Sequence, residues 1–288
     1  MDISTVKFQN LSPPPNEHVK VWRYISLAKF ISLLITRSLY FSRIDCFSNP
    51  FEGASTEANI AMRPQLYDGK IPDEKIKELS KCFQVMPQWV YANCWHMSDI
   101  ESDAMWKLYG SRDGAIAIQS TYKNLADSIK DDSCSIGTVS YIDDMTFIPE
   151  NNLLTRFFYK RKSFEHEKEV RLLKFDTEFA GKLNKINPCQ GTNIEVDIDT
   201  LICNIYVTPL CGPWLHEIVI DILKKYNINK PIIESKLCSP LNIRFKTISL
   251  SDYYFLGYWL IIFCLIYFYC KVRYWLIRSI TMRVATQH

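Results

Sequence analysis

The sequence of 288 residues contains ten cysteines but no pair at CxxC spacing, so a zinc ribbon is not expected. Its five histidines are scattered without ligand spacing, and no metal site is read from them. The first residues, MDISTVKFQN, lack a basic segment followed by an apolar stretch and do not read as a secretory signal. Many unpaired cysteines without such a signal point to a reducing, cytoplasmic compartment. There is no internal repeat and no low-complexity run. A mean hydropathy of −0.08 excludes a polytopic membrane protein. A net charge of +3 offers little counterion release and argues against nucleic acid as a partner. What is present, 48% apolar and 23% charged residues, is the composition of a folded domain with a large core.

The charge is unevenly placed. Residues 253–288 hold Lys271, Arg273, Arg278 and Arg283 and no acid, while the rest carries 30 basic against 31 acidic side chains. Within that basic end, Tyr253 to Cys270 is 18 residues without a charge, nine of them aromatic. As a helix it would span about 27 Å against roughly 30 Å of bilayer hydrocarbon. Tyr253, Tyr254, Tyr258 and Trp259 lie at one end and Tyr267 and Tyr269 at the other, where amphipathic rings favour an interface. The run reads as a C-terminal transmembrane helix with the lipid bilayer as partner and a cytoplasmic main domain. A buried core helix in a soluble cytoplasmic chain is the alternative. Nothing in the sequence indicates an oligomeric state.

The pattern divides the chain into a loose lead-in (1–19), an α+β domain (20–238), a linker (239–252), the apolar run (253–270) and a basic tail (271–288). A strand over 20–25, a helix capped by Ser26 and a strand over 39–43 open the domain. Residues 44–70 lack periodicity and read as a long surface loop. Helices are expected from Pro72 to Phe83, after a capping box at Ser98–Glu101 to Tyr109, from Thr121 to Lys130, over 150–163 and over 213–226. Strands are expected over 90–96, 114–118, 135–141, 168–175, 202–207 and 231–234. The order implies a mixed or antiparallel central sheet with flanking helices.

Three constellations carry candidate chemistry. Arg43 ends a strand and is followed by Asp45, Asn49 and Glu52, an arrangement that holds a phosphate or ribose or simply stabilises a turn. His96 ends a strand and offers an acid, a base or a ligand anchor, or a structural contact. Cys94 and His96, at i and i+2, do not by that spacing make a nucleophilic dyad. Trp106 and Met105 read as core. In the third constellation, Lys160, Arg161 and Lys162 precede Glu165, Glu167, Glu169 and Arg171. On an extended chain Glu167, Glu169 and Arg171 share one face, with Val170 and Leu172 turned to the core. An acid beside an arginine at a cleft orients a ribose hydroxyl or a water, and a solvated ion-pair ladder has the same pattern.

These segments, in this order, resemble the bacterial domain-of-unknown-function family 2971. The resemblance runs through Trp22-Arg-Tyr24 and Leu39–Arg43, Asn49–Gly53, Cys94–His96 with Ser102 and Met105–Tyr109. It continues through Lys160, Phe164–Arg171, Ile205–Pro209 with Trp214, and Pro231–Leu237. The chain also resembles ADP-ribosyltransferase-type folds. That resemblance implies Arg23 or Arg43 on the phosphates of NAD and Glu167 or Glu169 on the ribose. It makes NAD the expected cofactor and a nucleotide the expected ligand, in an enzyme of toxin or phage-defence type. The expected catalytic set is then Glu167, Glu169 and His96, and the expected substrate-binding set is Arg23, Arg43, Asp45, Glu52 and Arg171. A non-catalytic, membrane-anchored sensor or interaction module is the competing reading.

Overall fold

Short-range signals set the opening of the domain in the computed structural model, which describes residues 9–49, 51–68, 71–110, 114–150, 152–208, 211–235 and 237. The expected transmembrane run over 253–270 lies outside these residues, as does the basic tail. Among the described residues, no helix is long and apolar enough to cross a membrane.

Strand β1 (Gln9–Ser12) lies in the lead-in that reads as loose, held by parallel pairing rather than by its own pattern. Strand β2 (Lys20–Ser26) runs into helix α1 (Leu27–Thr36), whose first turn is capped by the Ser26 hydroxyl. Phe30, Leu33 and Leu34 form the buried stripe of α1. Strand β3 (Ser38–Arg43) follows through Arg37, which takes a left-handed turn at φ 46°.

The expected loop over 44–70 instead contains helix α2 (Glu57–Leu66), capped by Thr56. Its buried residues are Asn59 and Arg63, so its inward stripe is polar and leaves no apolar period to read. Helix α3 (Asp73–Val85) and strand β4 (Val90–Met97) lie close to their expected places. Helix α4 (Asp103–Tyr109) starts later than its apparent capping box. Ser98 closes a local turn with Ile100, and Ser102 is the residue that caps Met105. Glu101 accepts instead from the Trp106 indole at 3.2 Å.

Strand β5 (Ala115–Thr121), helix α5 (Tyr122–Ser128) and strands β6 (Cys134–Thr138) and β7 (Ser140–Ile142) come next. The expected helix over 150–163 is absent among the described residues. That stretch holds a 3-10 turn over Thr155–Phe158, strand β8 (Tyr159–Arg161) and the start of a second 3-10 turn over Lys162–Glu167. Its aromatic and basic side chains are drawn to separate buried partners, which overrides their helical spacing. Strand β9 (Glu169–Phe175), strand β10 (Gly191–Glu195), short helix α6 (Ile198–Leu201), strand β11 (Asn204–Val207), helix α7 (Trp214–Lys225) and strand β12 (Ile232–Glu234) complete the order.

The main sheet has ten strands. Its order is β1-β6-β9-β4-β2-β5-β11-β12, with β3 beside β4 and β10 beside β3. Pairs β1·β6 and β11·β12 are parallel and the others antiparallel, giving the mixed sheet of an α+β domain. Period-2 alternation sorts its faces. Val21 and Ile25 join Ile116 and Ile118 under α1, α5 and α7, while Trp22 and Tyr24 join Ala115 and Ala117 against Met105 and Trp106. On β9, Val170 and Leu172 enter the larger core. Leu173 packs with Phe83, Trp89, Phe157 and Phe158 in a second one. Cys46, Cys82, Cys94, Cys134, Cys189 and Cys203 are free thiols.

Candidate functional site

A fork in the sheet creates the site. One edge of β4 is paired with β9 along its length, from Val90 opposite Phe175 to His96 opposite Glu169. The other edge is divided. β3 pairs with it at Tyr91 and Ala92, and β2 at His96 and Met97. Between them side chains replace the backbone ladder. The Arg23 guanidinium donates to the Cys94 carbonyl, and the Asn93 amide donates to the Tyr40 carbonyl at 2.9 Å. Where β2 and β3 diverge, a cleft of about 450 Å³ opens. Tyr24, Tyr40, Phe47, Tyr109 and Phe164 supply aromatic walls.

Part of the lining is ionic, with Tyr109 and Phe164 against it. Lys160 Nζ lies 2.5 Å from Glu167, 2.6 Å from Glu169 and 3.4 Å from Glu52. Behind these acids Arg171 is fully buried. Its guanidinium meets both oxygens of Glu169 at 2.7 and 3.1 Å, Glu52 at 2.7 Å and the Phe157 carbonyl at 2.9 Å. Three carboxylates thus share two fixed cations. The Tyr109 hydroxyl reaches Glu167 at 3.3 Å.

The backbone that presents Glu167 is unusual. Glu167 ends a 3-10 turn, and Lys168 turns left-handed at φ 41° before β9 begins. The Met97 amide holds the Lys168 carbonyl at 2.8 Å. Glu167 and Arg171 therefore do not lie on one extended strand, as their spacing implies. The left-handed residue folds Glu167 back so that Lys160 binds it together with Glu169.

Electrostatics separate the two glutamates. Burial would raise Glu169, but the Arg171 guanidinium outweighs it and holds this carboxyl well below the usual range. Glu167 is pushed up, first by burial and then by the neighbouring Glu169 charge. Burial would lower Lys160, but Glu169 and Glu167 keep it firmly protonated. Proton exchange in this cluster therefore falls to Glu167. His96 is held below its ordinary value by burial, opposed by its hydrogen bond to the Glu167 carbonyl. Its Nδ1 lies 2.6 Å from that carbonyl oxygen, which assigns the proton to Nδ1 and leaves Nε2 as an acceptor. Burial pushes the Cys94 thiol far up, so it is not a thiolate at neutral pH.

Among the residues singled out from sequence, Arg23, Glu52, His96, Glu167 and Glu169 line this cleft, and Arg171 backs it. Arg43 and Asp45 do not line it. Arg43 is clamped by Asp45 at 2.5 Å and by the carbonyls of Asn187 and Cys189. Lys160 and Tyr109 are also central to the cleft, and neither is in the site expected from sequence. Lys160 was hidden by the helical reading of its segment. Among the described residues, no cluster of His, Cys, Asp and Glu is arranged to hold a metal.

No family model matches the chain, and no curated protein matches it. The resemblance to family 2971 thus rests on the motifs themselves. Among the solved structures that align with the chain are two of one protein. DarT from Thermus sp. 2.9 in complex with NAD+ has a TM-score of 0.36 and 10% identity, over 77% of this chain and 97% of that one. The same protein in complex with ADP-ribosylated ssDNA has a TM-score of 0.36 and 11% identity, over 80% and 98%. Likeness at this level leaves the cleft to be understood from its own geometry.

Proposed function

We propose that the chain is an enzyme that acts on a nucleotide, with NAD as cosubstrate and ADP-ribosyl transfer as the reaction. One observation carries this reading: Glu52, Lys160, Glu167 and Glu169 meet on one wall of the forked cleft, within reach of His96 and Arg23. The residues fit such a group. A cleft of about 450 Å³ lies within the size range of ligand pockets, roughly 300–1,000 Å³. Tyr24, Tyr40 and Phe164 supply faces for a ring, and Arg23 and Lys29 supply positive charge for phosphates.

NAD, when bound, supplies an activated glycosidic bond at C1′ of its ribose. Glu167 would accept hydrogen bonds from the ribose hydroxyls and take the proton of the acceptor as its bond to C1′ forms and the bond from C1′ to the departing nicotinamide breaks. Lys160 fixes its carboxylate from one side and Tyr109 from the other. Glu169, held by Arg171, stays ionised and would set negative charge near positive charge that develops on the ribose. His96 presents Nε2 as an acceptor to the ligand.

The test is release of nicotinamide from NAD by the full-length protein in a mild detergent, with candidate protein and nucleic-acid acceptors present. Glu167→Gln is expected to lower turnover about 10²–10⁴-fold, the usual worth of a general base. Absence of both NAD binding and turnover in the wild-type protein would overturn the proposal.

The uncharged run 253–270 supports a membrane anchor as a separate element, with a non-catalytic anchored module as the alternative function. Fractionation of cells carrying the full and the truncated chain decides the anchor. Both chains in the soluble fraction would exclude it.

A further inference from the structure

A second buried ionic cluster lies away from the cleft and has the opposite excess charge. Arg63 on α2 and Arg156 beside β8 are each 4% exposed. They share one carboxylate, Glu150, whose side chain is 6% exposed. That carboxylate is already occupied. Its Oε1 accepts from Asn59 at 3.1 Å and from Arg63 at 2.7 and 3.1 Å. Its Oε2 accepts from Tyr67 at 3.1 Å. Arg156 stands 3.8 Å away, beyond hydrogen-bond distance.

The remaining groups are donors. Ser55 Oγ accepts from Arg63 at 2.5 Å and from Arg156 at 3.2 Å, so its lone pairs are used. Its own proton meets no acceptor among the described residues. Arg156 Nη1 is buried and likewise has no partner among them. Phe83 covers one face of this guanidinium at 3.7 Å, which closes that side to water. Burial lowers Arg156 to about 10, against the pull of Glu150, so the group remains charged at neutral pH. Ser120 and Ser135 also have unpartnered buried hydroxyls, but they are neutral and cost far less. At Arg156 a full positive charge, its Nη1 donor and the neighbouring Ser55 proton lack an acceptor among the described residues. A group that satisfies all of them carries negative charge and is small, because Nη1 is enclosed.

We propose that Arg156 and Ser55, backed by Arg63, bind a small inorganic anion of halide size, chloride being the probe. The site ties α2, α3 and the segment before β8 together. Through Ser55 it also braces the loop that carries Glu52 to the cleft. It stands on its own donors and does not depend on the reaction proposed for the cleft.

The experiment is thermal unfolding of the full-length protein in detergent, in sodium chloride against sodium gluconate at equal ionic strength. Binding to the folded state alone should raise Tm saturably, by roughly 5–10 °C at a hundredfold excess over Kd. Arg156→Lys keeps the charge but removes Nη1, and the increment should vanish. ³⁵Cl line broadening should fall with it. If Arg156→Lys does not fold, Ser55→Ala serves, with an expected loss of chloride affinity of several-fold. Equal Tm in the two salts overturns the proposal, as does an unchanged increment in the variant. Stabilisation by sulfate but not chloride would also reject it, since the occupant would then not be halide-sized.

Discussion

Two ionic clusters share one loop and differ in sign. Glu52 enters the cleft cluster, where three carboxylates surround Lys160 and Arg171. Three residues later Ser55 enters the closed cluster, where Arg63 and Arg156 surround Glu150. Between them Gly53 turns left-handed at φ 70°, and a Cβ there would overlap the Phe157 ring. The cleft cluster has an excess acid, and one acid, Glu167, is raised toward protonation. The other cluster has an excess base with no carboxylate to spare. An excess carboxylate relieves itself by taking a proton. A guanidinium would have to lose one, which it does far less readily, so an excess arginine calls for a counterion or a ring face.

That asymmetry predicts unequal costs. Glu150→Gln leaves two buried guanidiniums without a carboxylate and should cost about 3–5 kcal/mol, read by urea unfolding. A loss below about 1 kcal/mol would mean that the cluster is not held by its charges. Glu52→Gln removes one of three acids and leaves Lys160 and Arg171 both paired through Glu169. It should cost less than half as much, and equal costs would erase the distinction between the clusters.

Gly53→Ala tests the loop between them. It places a side chain against Phe157 at a positive φ and should cost about 1–3 kcal/mol through overpacking and strain. Because the loop carries Glu52 and Ser55, the same variant should weaken both nucleotide binding and the chloride increment. A variant that weakens neither would show that the two clusters are mechanically independent.

Much of the fold follows from local pattern, and the exceptions have one cause. The Lys20–Ser26, Leu27–Thr36 and Ser38–Arg43 opening is legible because its apolar residues sit at the spacing of their elements. Helix α2 is not, because Asn59 and Arg63 are its inward residues and Glu150 is their distant partner. The segment over 150–163 misleads for the same reason. Arg156 turns toward Glu150, and Lys160 toward Glu169 and the distant Glu52, and helical spacing loses to these buried acids. At the cleft, Glu52, His96, Glu167, Glu169 and Arg171 stand out by residue type. Lys160 does not, since a lysine in a basic run reads as solvated surface. The clamp on Arg43 depends on Asn187 and Cys189, which no local signal links to it.

A smaller effect sharpens the contrast inside the cleft itself. Glu167 is raised by burial and by Glu169, so its ionised form favours unfolding. Glu167→Gln should therefore change stability at pH 8 by less than about 1 kcal/mol, even as turnover falls. A loss as large as that of Glu150→Gln would show that Glu167 holds the fold rather than the reaction.

The smallest expected effect belongs to His96, and its sign is fixed. Burial holds its folded pKa below the unfolded value near 6.5. As pH falls from 7.5 through 6.5, the unfolded chain takes up the proton first, and stability decreases until the folded pKa is reached. Glu167 acts the other way. Below its raised folded pKa, and down to the unfolded value near 4.5, the folded protein holds the extra proton and gains stability on acidification. The two slopes oppose each other, so the wild-type profile alone does not separate them. His96→Asn keeps a donor for the Glu167 carbonyl but does not titrate. Urea unfolding of both proteins at pH 7.5, 6.5 and 5.5 isolates the difference. The variant should lose less stability than the wild type over this range. Parallel profiles would mean that His96 is as accessible to protons in the folded protein as in the unfolded chain, and that the cleft does not hold it neutral.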